Sequence, residues 1–221
     1  MTKIIRLGET HLPAVTALHH DVIADIDPAL VAAETDAFFQ DHMSDCGQIF
    51  GIFDQDTLVA YGVLGLPRPD DPNFGTDHKL PSDLLPDVAH IDGVAIRKDC
   101  RGHHWQQKLT LHRLQQARAS GRKIALTTVA PGNFASLINI LSVGMTIRGL
   151  KDKYGAKRFL MRLDLDKALT TITHDKITDW CPATDFTRCH DFLNSGYIGV
   201  TFRKTASQSV PEIGWILRHC I

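Results

Sequence analysis

The 221 residues predict an α/β fold, a mixed and mostly antiparallel central sheet flanked by helices, followed by a smaller α+β appendage. Three observations lead there. Strand-like and helix-like runs alternate up to Leu165, two pairs of β-rich runs are joined by tight turns, and beyond Leu165 the apolar pattern thins. The expected division is a main domain over 1–165 and an appendage over 166–221 packed on the same core. Composition is that of an ordinary globular protein, 43% hydrophobic and 22% charged, and 24 basic against 25 acidic residues leave a net charge of −1. That balance gives no electrostatic case for a nucleic-acid or membrane partner.

The elements follow in order. "TKIIRLG" (2–8) reads as a short first strand, and Thr10 as the cap of a helix through "HLPAVTALHHDVIAD", with Pro13 tolerated in its first turn. Asp27-Pro28 looks like an N-cap and first helical residue, so a second helix is expected through "ALVAAETDAFFQDHM". "QIFGIFDQDTLVAYGVLGLP" is two β-rich runs around Asp54-Gln55-Asp56, an antiparallel hairpin. Pro67 to Pro86 carries five prolines and reads as a long loop, a length uncommon in compact domains unless it has a task. "VAHIDGVAI" (88–96) is a buried strand, "HWQQKLTLHRLQQARAS" a helix stopped by Gly121, and "KIALTTV" (123–129) a strand. Trp105, Leu109, Leu111 and Leu114 spread around that helix, so its packing face is not legible. A short helix from Asn133 to Gly144 follows, then a hairpin turning at Asp152 to Gly155. In the appendage "FTRCHDFLNSG" is a helix stopped by Gly196, and "YIGVTF" and "EIGWILRH" are strands. No internal repeat is read from the chain.

The five cysteines (Cys46, Cys100, Cys181, Cys189, Cys220) are odd in number and form no C-x-x-C pair, which argues for reduced thiols over a disulfide or zinc framework. Among the twelve histidines, the doublets His19-His20 and His103-His104 are poor chelators because adjacent side chains diverge, so no metal site is expected. The first residues hold no apolar run of signal-peptide length, and no stretch nears the about 18 apolar residues of a membrane span, so the expected setting is the cytoplasm.

The chemistry concentrates in "VAIRKDCRGHHWQQKL" (94–109), a strand running through a turn into a helix. Free amides at a helix N-terminus, reinforced by the macrodipole, suit a pyrophosphate. The G-x-x-x-x-G-K-[ST] loop and the G-x-G-x-x-G fingerprint are both absent, which excludes a P-loop nucleotide site and a Rossmann dinucleotide site.

With "VAPGNFASLINILSVGM" beginning at Val129, this stretch resembles the acetyl-CoA-binding core of the GNAT superfamily of N-acetyltransferases, and the likeness in element order extends over residues 3 to 165. The first stretch matches valine, variable residues, Arg-Gly-x-Gly-x-Gly/Ala, helix; the second matches Asn-x-x-Ala/Ser, helix, Gly-Phe. The resemblance implies acetyl-CoA as acyl donor and an amine of unidentified kind, small-molecule or peptide, as acceptor. It places the donor on Val94, Ala95, Ile96, Arg101, Gly102, His103, His104, Trp105, Gln106, Asn133 and Ser136. His104 and Gln106 stand where the family has small residues, and Trp105 replaces an aliphatic. Glycine suits that turn because backbone approaches phosphate closely and φ is positive; histidine serves if the turn is already helical there.

In this family the base is often a carboxylate on the strand before the turn and the acid a tyrosine four residues before the terminal glycine. Here those positions hold Asp92 and Ile140. Asp92 reads either as a base with a raised pKa or as a hydrogen-bonded structural aspartate, and His90, two residues away, is a second base. Tyr154 in the last hairpin turn is the candidate acid; it also reads as an ordinary exposed turn tyrosine. The loop 67–86 and the appendage, with Trp180, Phe186, Tyr197, Phe202 and Trp215, are expected to shape the acceptor site, unless those aromatics cover the sheet. The rival function is a GNAT-like module that binds acyl-CoA or a protein without turnover.

Overall fold

A computed structural model describes residues 3–167, 174–204 and 209–218; 1–2, with Thr2 of the expected first strand, 168–173, 205–208 and 219–221, Cys220 among them, lie outside the described residues. The chain forms β1 (Ile4–Leu7), α1 (Leu12–Ile23), α2 (Asp36–Met43), β2 (Gly47–Asp54), β3 (Thr57–Gly65), a short α3 (Phe74–Asp77), β4 (Val88–Ile96), α4 (Trp105–Ala119), β5 (Ile124–Val129), α5 (Phe134–Ser142), β6 (Thr146–Lys153) and β7 (Ala156–Asp164). Then come β8 (Asp179–Pro182), α6 (Phe186–Asn194), β9 (Tyr197–Arg203) and β10 (Glu212–Leu217). The described strands make one ten-stranded sheet in the order β1-β2-β3-β4-β5-β7-β6-β9-β10-β8. Among the described strands only β4 and β5 pair in parallel. No helix among the described residues is long and apolar enough to cross a membrane.

Helices cover both faces. Val15, Leu18 and Val22 of α1 and Phe39 and Met43 of α2 pack on Leu7, Ile49, Tyr61 and Val63. On the other face Leu109, Leu114 and Ala117 of α4, Leu137 and Leu141 of α5 and Cys189 of α6 share a core with Phe50, Ile91, Phe159, Ile147 and Trp215.

The missing apolar stripe of α4 has a cause. Arg113 sits in the middle of its buried face, fully covered. Its Nη1 donates to the carbonyls of Val63 and Asp92, both at 2.9 Å, and its Nη2 to Thr110 Oγ1 at 3.0 Å. The β3–β4 register slips between Gly62 and Leu64, and the guanidinium takes up backbone acceptors at that irregularity. A Cβ on Gly62 would stand 3.0 Å from Arg113 Nε, so glycine makes room for it.

Several expectations are corrected. Thr10 does not cap α1: a 3-10 turn over Glu9–His11 precedes it, closed by the His11 amide on the Gly8 carbonyl at 2.8 Å. Asp27 Oδ1 does accept from the Ala29 amide at 2.9 Å, but only a 3-10 turn, Pro28–Leu30, follows before Val31 becomes extended. A continuous helix is lost because distant donors take its acceptors. Arg158 Nη1 holds the Ala29 carbonyl, its Nη2 that of Val31, and Asn133 Nδ2 that of Leu30. Helix α2 starts afresh at Thr35, whose Oγ1 accepts from the Phe38 amide. The loop 67–86 contains α3 and a 3-10 stretch, Ser82–Asp87.

The chain also holds a structural repeat that the sequence reading missed. In β5-α5-β6-β7 and again in β8-α6-β9-β10, a strand, a helix and two strands follow in turn, and the last strand lies between the other two. The C-terminal copy continues the sheet outward from β6, where Ile147 faces Gly199 across an antiparallel pair.

Candidate active site

Strands β4 and β5 pair only from Val88↔Ile124 to His90↔Leu126, although β4 runs on to Ile96 and β5 to Val129. Between their diverging ends lies a cavity of about 360 Å³, walled by Ile91 to Ile96 on one side and Thr127 to Ala130 on the other. Asp92, Val94, Ala95, Ile96, Arg101, Gln106, Asn133, Ser136 and Tyr154 all line it. Gly102, His103, His104, Trp105 and His90 do not.

At one end the cavity meets the start of α4. The Lys108 amide makes the first helical bond, to the His104 carbonyl at 3.0 Å, and His104 contributes no capping side chain, so the amides of Trp105, Gln106 and Gln107 have no intrahelical acceptor. The turn is left-handed at Gly102 (φ 89°) and at His104 (φ 58°, ψ 24°). The histidine therefore sits in the backbone state that favours glycine, and not in a helical one. Gln106 joins two helices, its Nε2 donating to Ser136 Oγ at 3.3 Å and its Oε1 accepting from Asn139 Nδ2 at 2.9 Å. Asn133 Oδ1 caps α5 on the Ser136 amide at 3.2 Å. Arg101 Nε donates to the Ile96 carbonyl at 3.3 Å.

At the other end the lining is acidic and aromatic, and half of it was invisible in sequence. Glu34 faces Asp92 across Gly93: a Cβ on Gly93 would lie 3.8 Å from Glu34 Oε1. The Glu34 amide donates to His19 Nε2 at 3.1 Å, which leaves the proton of neutral His19 on Nδ1, 2.8 Å from Tyr61 Oη. Tyr61 thus accepts from His19, and its own hydroxyl proton is free to turn toward the cavity that both residues line. Burial raises the Glu34 carboxyl to about 7. Asp92 is also raised to about 7, first by burial and then by the charge of Glu34, with Arg113 and Lys153 pulling the other way. Tyr154 is raised to about 12, by burial and then by Asp92.

Beneath Asp92 lie two neutral imidazoles. Asp92 Oδ2 stands 3.8 Å from His42 Nε2 and 3.8 Å from His90 Nδ1, and it fits there because Gly65 has no side chain: a Cβ would come within 2.6 Å of it. His90 Nε2 accepts from the Phe74 amide at 3.0 Å, its ring stacks on Phe74 at 4.1 Å, and burial lowers its pKa to about 3. Its acceptor nitrogen is taken by the Phe74 amide and it lies outside the cavity, so of the two candidate bases it is Asp92 that lines the cavity. From the long loop only Phe74 lines the cavity, and no described residue beyond Arg158 does, so the appendage aromatics do not shape it. Trp215 is fully buried in the main core, and Phe202 and Tyr197 pack against that core.

No family profile matches the chain. No curated protein matches either. Solved structures do. The chain is similar to an N-acetyltransferase from Staphylococcus aureus (16% identity, 75% of this chain and 99% of that one, TM-score 0.59). It is similar to an acetyltransferase of the GNAT family from Streptococcus pneumoniae (14%, 74% and 99%, 0.59). A putative acetyltransferase from Salmonella typhimurium, solved with its cofactor acetyl-CoA, matches at 15% identity over 76% of this chain and 96% of that one, with a TM-score of 0.58. The chain has the GNAT fold.

Proposed function

We propose that this chain transfers an acetyl group from acetyl-CoA to an amine. The observation that carries the reading is the divergence of β4 and β5, which opens one cavity with uncapped helix amides at one end and two carboxyls near pKa 7 at the other. The pyrophosphate would rest on the first-turn amides of α4, with Arg101 supplying charge. The pantetheine arm would run along Val94, Ala95 and Ile96 past Asn133 and Ser136. Gly102, His103, His104 and Trp105 then act through the turn's backbone.

The acceptor arrives as an ammonium, and Asp92, with Glu34 beside it, takes its proton. The neutral nitrogen attacks the thioester carbonyl, the carbon–sulfur bond breaks, and the departing thiolate takes a proton. Tyr154 is the assigned donor, since its raised pKa keeps the phenol protonated at neutral pH, and the proton that the acetylated nitrogen sheds restores it. Ile140, nine-tenths or more buried in the cavity wall, stands where the family has its tyrosine. That replacement favours a second reading, a module that binds acetyl-CoA without turnover.

Calorimetric titration with acetyl-CoA and a thiol-release assay over a panel of amines separate these. Binding with amine-dependent release of CoA supports the enzyme; binding without release on any amine supports the module. Absence of acetyl-CoA binding to the intact chain sinks both.

A further inference from the structure

The loop that supplies Phe74 to the first cavity borders a second one. Thr76, Asp77, His78 and Lys79 form part of a recess of about 1120 Å³ at the ends of β6 and β7. Among the described residues its walls are cationic: six lysines and arginines face two carboxylates, Asp77 and Asp164. Each carboxylate is already shared. Asp77 pairs with Lys151 and Lys153, and Asp164 with Arg162 Nε at 2.7 Å and Lys167 Nζ at 3.6 Å.

Arg148 feels the charge of Asp164 but forms no ion pair with it. Its Nε donates to Thr146 Oγ1 at 2.8 Å and no ion pair involves its guanidinium among the described residues. Burial and then the charge of Arg218 lower its pKa to about 10. Cations crowded in a recess repel one another, and an anion there relieves the repulsion. His78 also borders the recess; burial and then the charge of Arg162 lower its pKa to about 4, so it is a neutral imidazole there and leaves the positive charge to the lysines and arginines.

We propose that this recess binds the phosphate group of a small phosphate monoester, held by Arg148, Arg162 and Arg218. Guanidinium forks match phosphate oxygens two at a time, and three of them from β6, β7 and the end of β10 suit a dianion. The concave shape, at about 1120 Å³ slightly larger than the roughly 300–1,000 Å³ usual for small-ligand sites, favours a small molecule over an extended polyanion.

The test uses the full chain at constant ionic strength and inorganic phosphate as the probe, followed by calorimetry. Saturable binding is expected, and Arg148→Gln and Arg218→Ala should each weaken it about ten- to a hundredfold, the loss of one or two charged hydrogen bonds. Arg101→Ala should leave it unchanged, and glycerol 1-phosphate should compete. If Arg148→Gln fails to fold, Arg218→Ala, at an exposed position, decides alone. No binding, an equal response to chloride, or insensitivity to the recess substitutions overturns the proposal. Loss on Arg101→Ala overturns it by moving the anion to the α4 turn. A phosphoserine peptide binding about tenfold tighter than glycerol 1-phosphate overturns the small-molecule assignment in favour of a protein ligand.

Discussion

The two strand-helix-strand-strand units, 124–164 and 179–217, agree down to their caps. Asn133 and Asp185 each accept from the amide three residues on, at 3.2 and 3.1 Å, and each opens a nine-residue helix. Gly144 and Gly196, at φ 89° and 83°, stop them. The surroundings differ. β5 has β4 beside it, pairs with it over three residues and then diverges, and α5 is bolted to α4 through Gln106. β8 is the last strand of the sheet. Where the first unit borders the cavity between β4 and β5, the second packs its helix against its own strands, with Cys181 and Cys189 sulfurs 3.6 Å apart and Trp215 Nε1 donating to Cys181 at 3.2 Å. Local sequence makes the unit; a neighbour that pairs and then parts makes the site.

The largest expected difference is in rate. Asp92→Asn should lower turnover on an authentic amine by about 10² to 10⁴, with a smaller loss at high pH where the amine is already neutral. Asp185→Asn, which keeps a capping oxygen in the second unit, should leave turnover alone. Stability should move oppositely. The folded pKa of Asp92, about 7, lies above its ordinary 3.8, so the group's favourable contribution is complete below pH 4 and is lost as pH rises through 7. At pH 8 the buried carboxylate is charged, and Asn should stabilise by about 2–4 kcal/mol relative to wild type, with little gain at pH 4. Urea titrations at the two pH values check the sign, and unchanged turnover refutes the assignment.

Stability should separate the units next. Trp215 is fully buried against Ile147 and the rest of the main core, so Trp215→Ala should cost about 3–5 kcal/mol while acetyl-CoA affinity of the folded fraction stays put. A stable variant with weakened acetyl-CoA binding would mean that the second unit reaches the first site after all. For the same reason a chain ending after Leu165 is expected to aggregate, since it would strip the partner from β6.

The caps allow the closest pairing. Asn133→Ala and Asp185→Ala should each cost about 1 kcal/mol, measured by equilibrium denaturation. Only Asn133→Ala should also weaken acetyl-CoA binding, about two- to tenfold for one lost hydrogen bond. Equal effects on binding would erase the distinction between the units.

What could be read in advance follows the same line. Caps, stop glycines and turn residues are local: Asn133 and Gly144 mark α5, Gly196 marks the end of α6, and Asp54 to Asp56 and Asp152 to Gly155 mark the two hairpins. The repeat was in the sequence too: "NFASLINILSVG" (133–144) and "DFTRCHDFLNSG" (185–196) share the Asx cap, the following Phe, the Leu at the ninth position and the final Gly. Counting a second Asx, Asn139 and Asp191, five of twelve positions carry it, which is why hydropathy alone passed over it. The stretch 29–35 was misread as helix because its carbonyls are claimed by Arg158 and Asn133, far along the chain. Glu34, His19 and Tyr61 were missed for the same reason, since nothing adjacent in sequence announces that they meet. Asp92 was legible as a polar residue in an apolar strand, whereas the separation of His90 from it needed Phe74 in place.

The smallest effect should have the opposite sign from the others. Gly144 and Gly196 show what a left-handed position selects, and His104 occupies one without being glycine. That conformation costs an L-residue about 1–2 kcal/mol. Glycine would remove the strain but give back about 0.5–1 kcal/mol in unfolded-chain entropy. The His104 side chain caps nothing and lies outside the cavity, so no contact offsets the exchange. His104→Gly should therefore stabilise by up to about 1 kcal/mol and leave acetyl-CoA affinity unchanged or improved, because the amides of the turn remain. A loss of stability, or of affinity, would show that the imidazole itself holds the turn or the donor, and that this departure from the family's glycine is a contact rather than a tolerated strain.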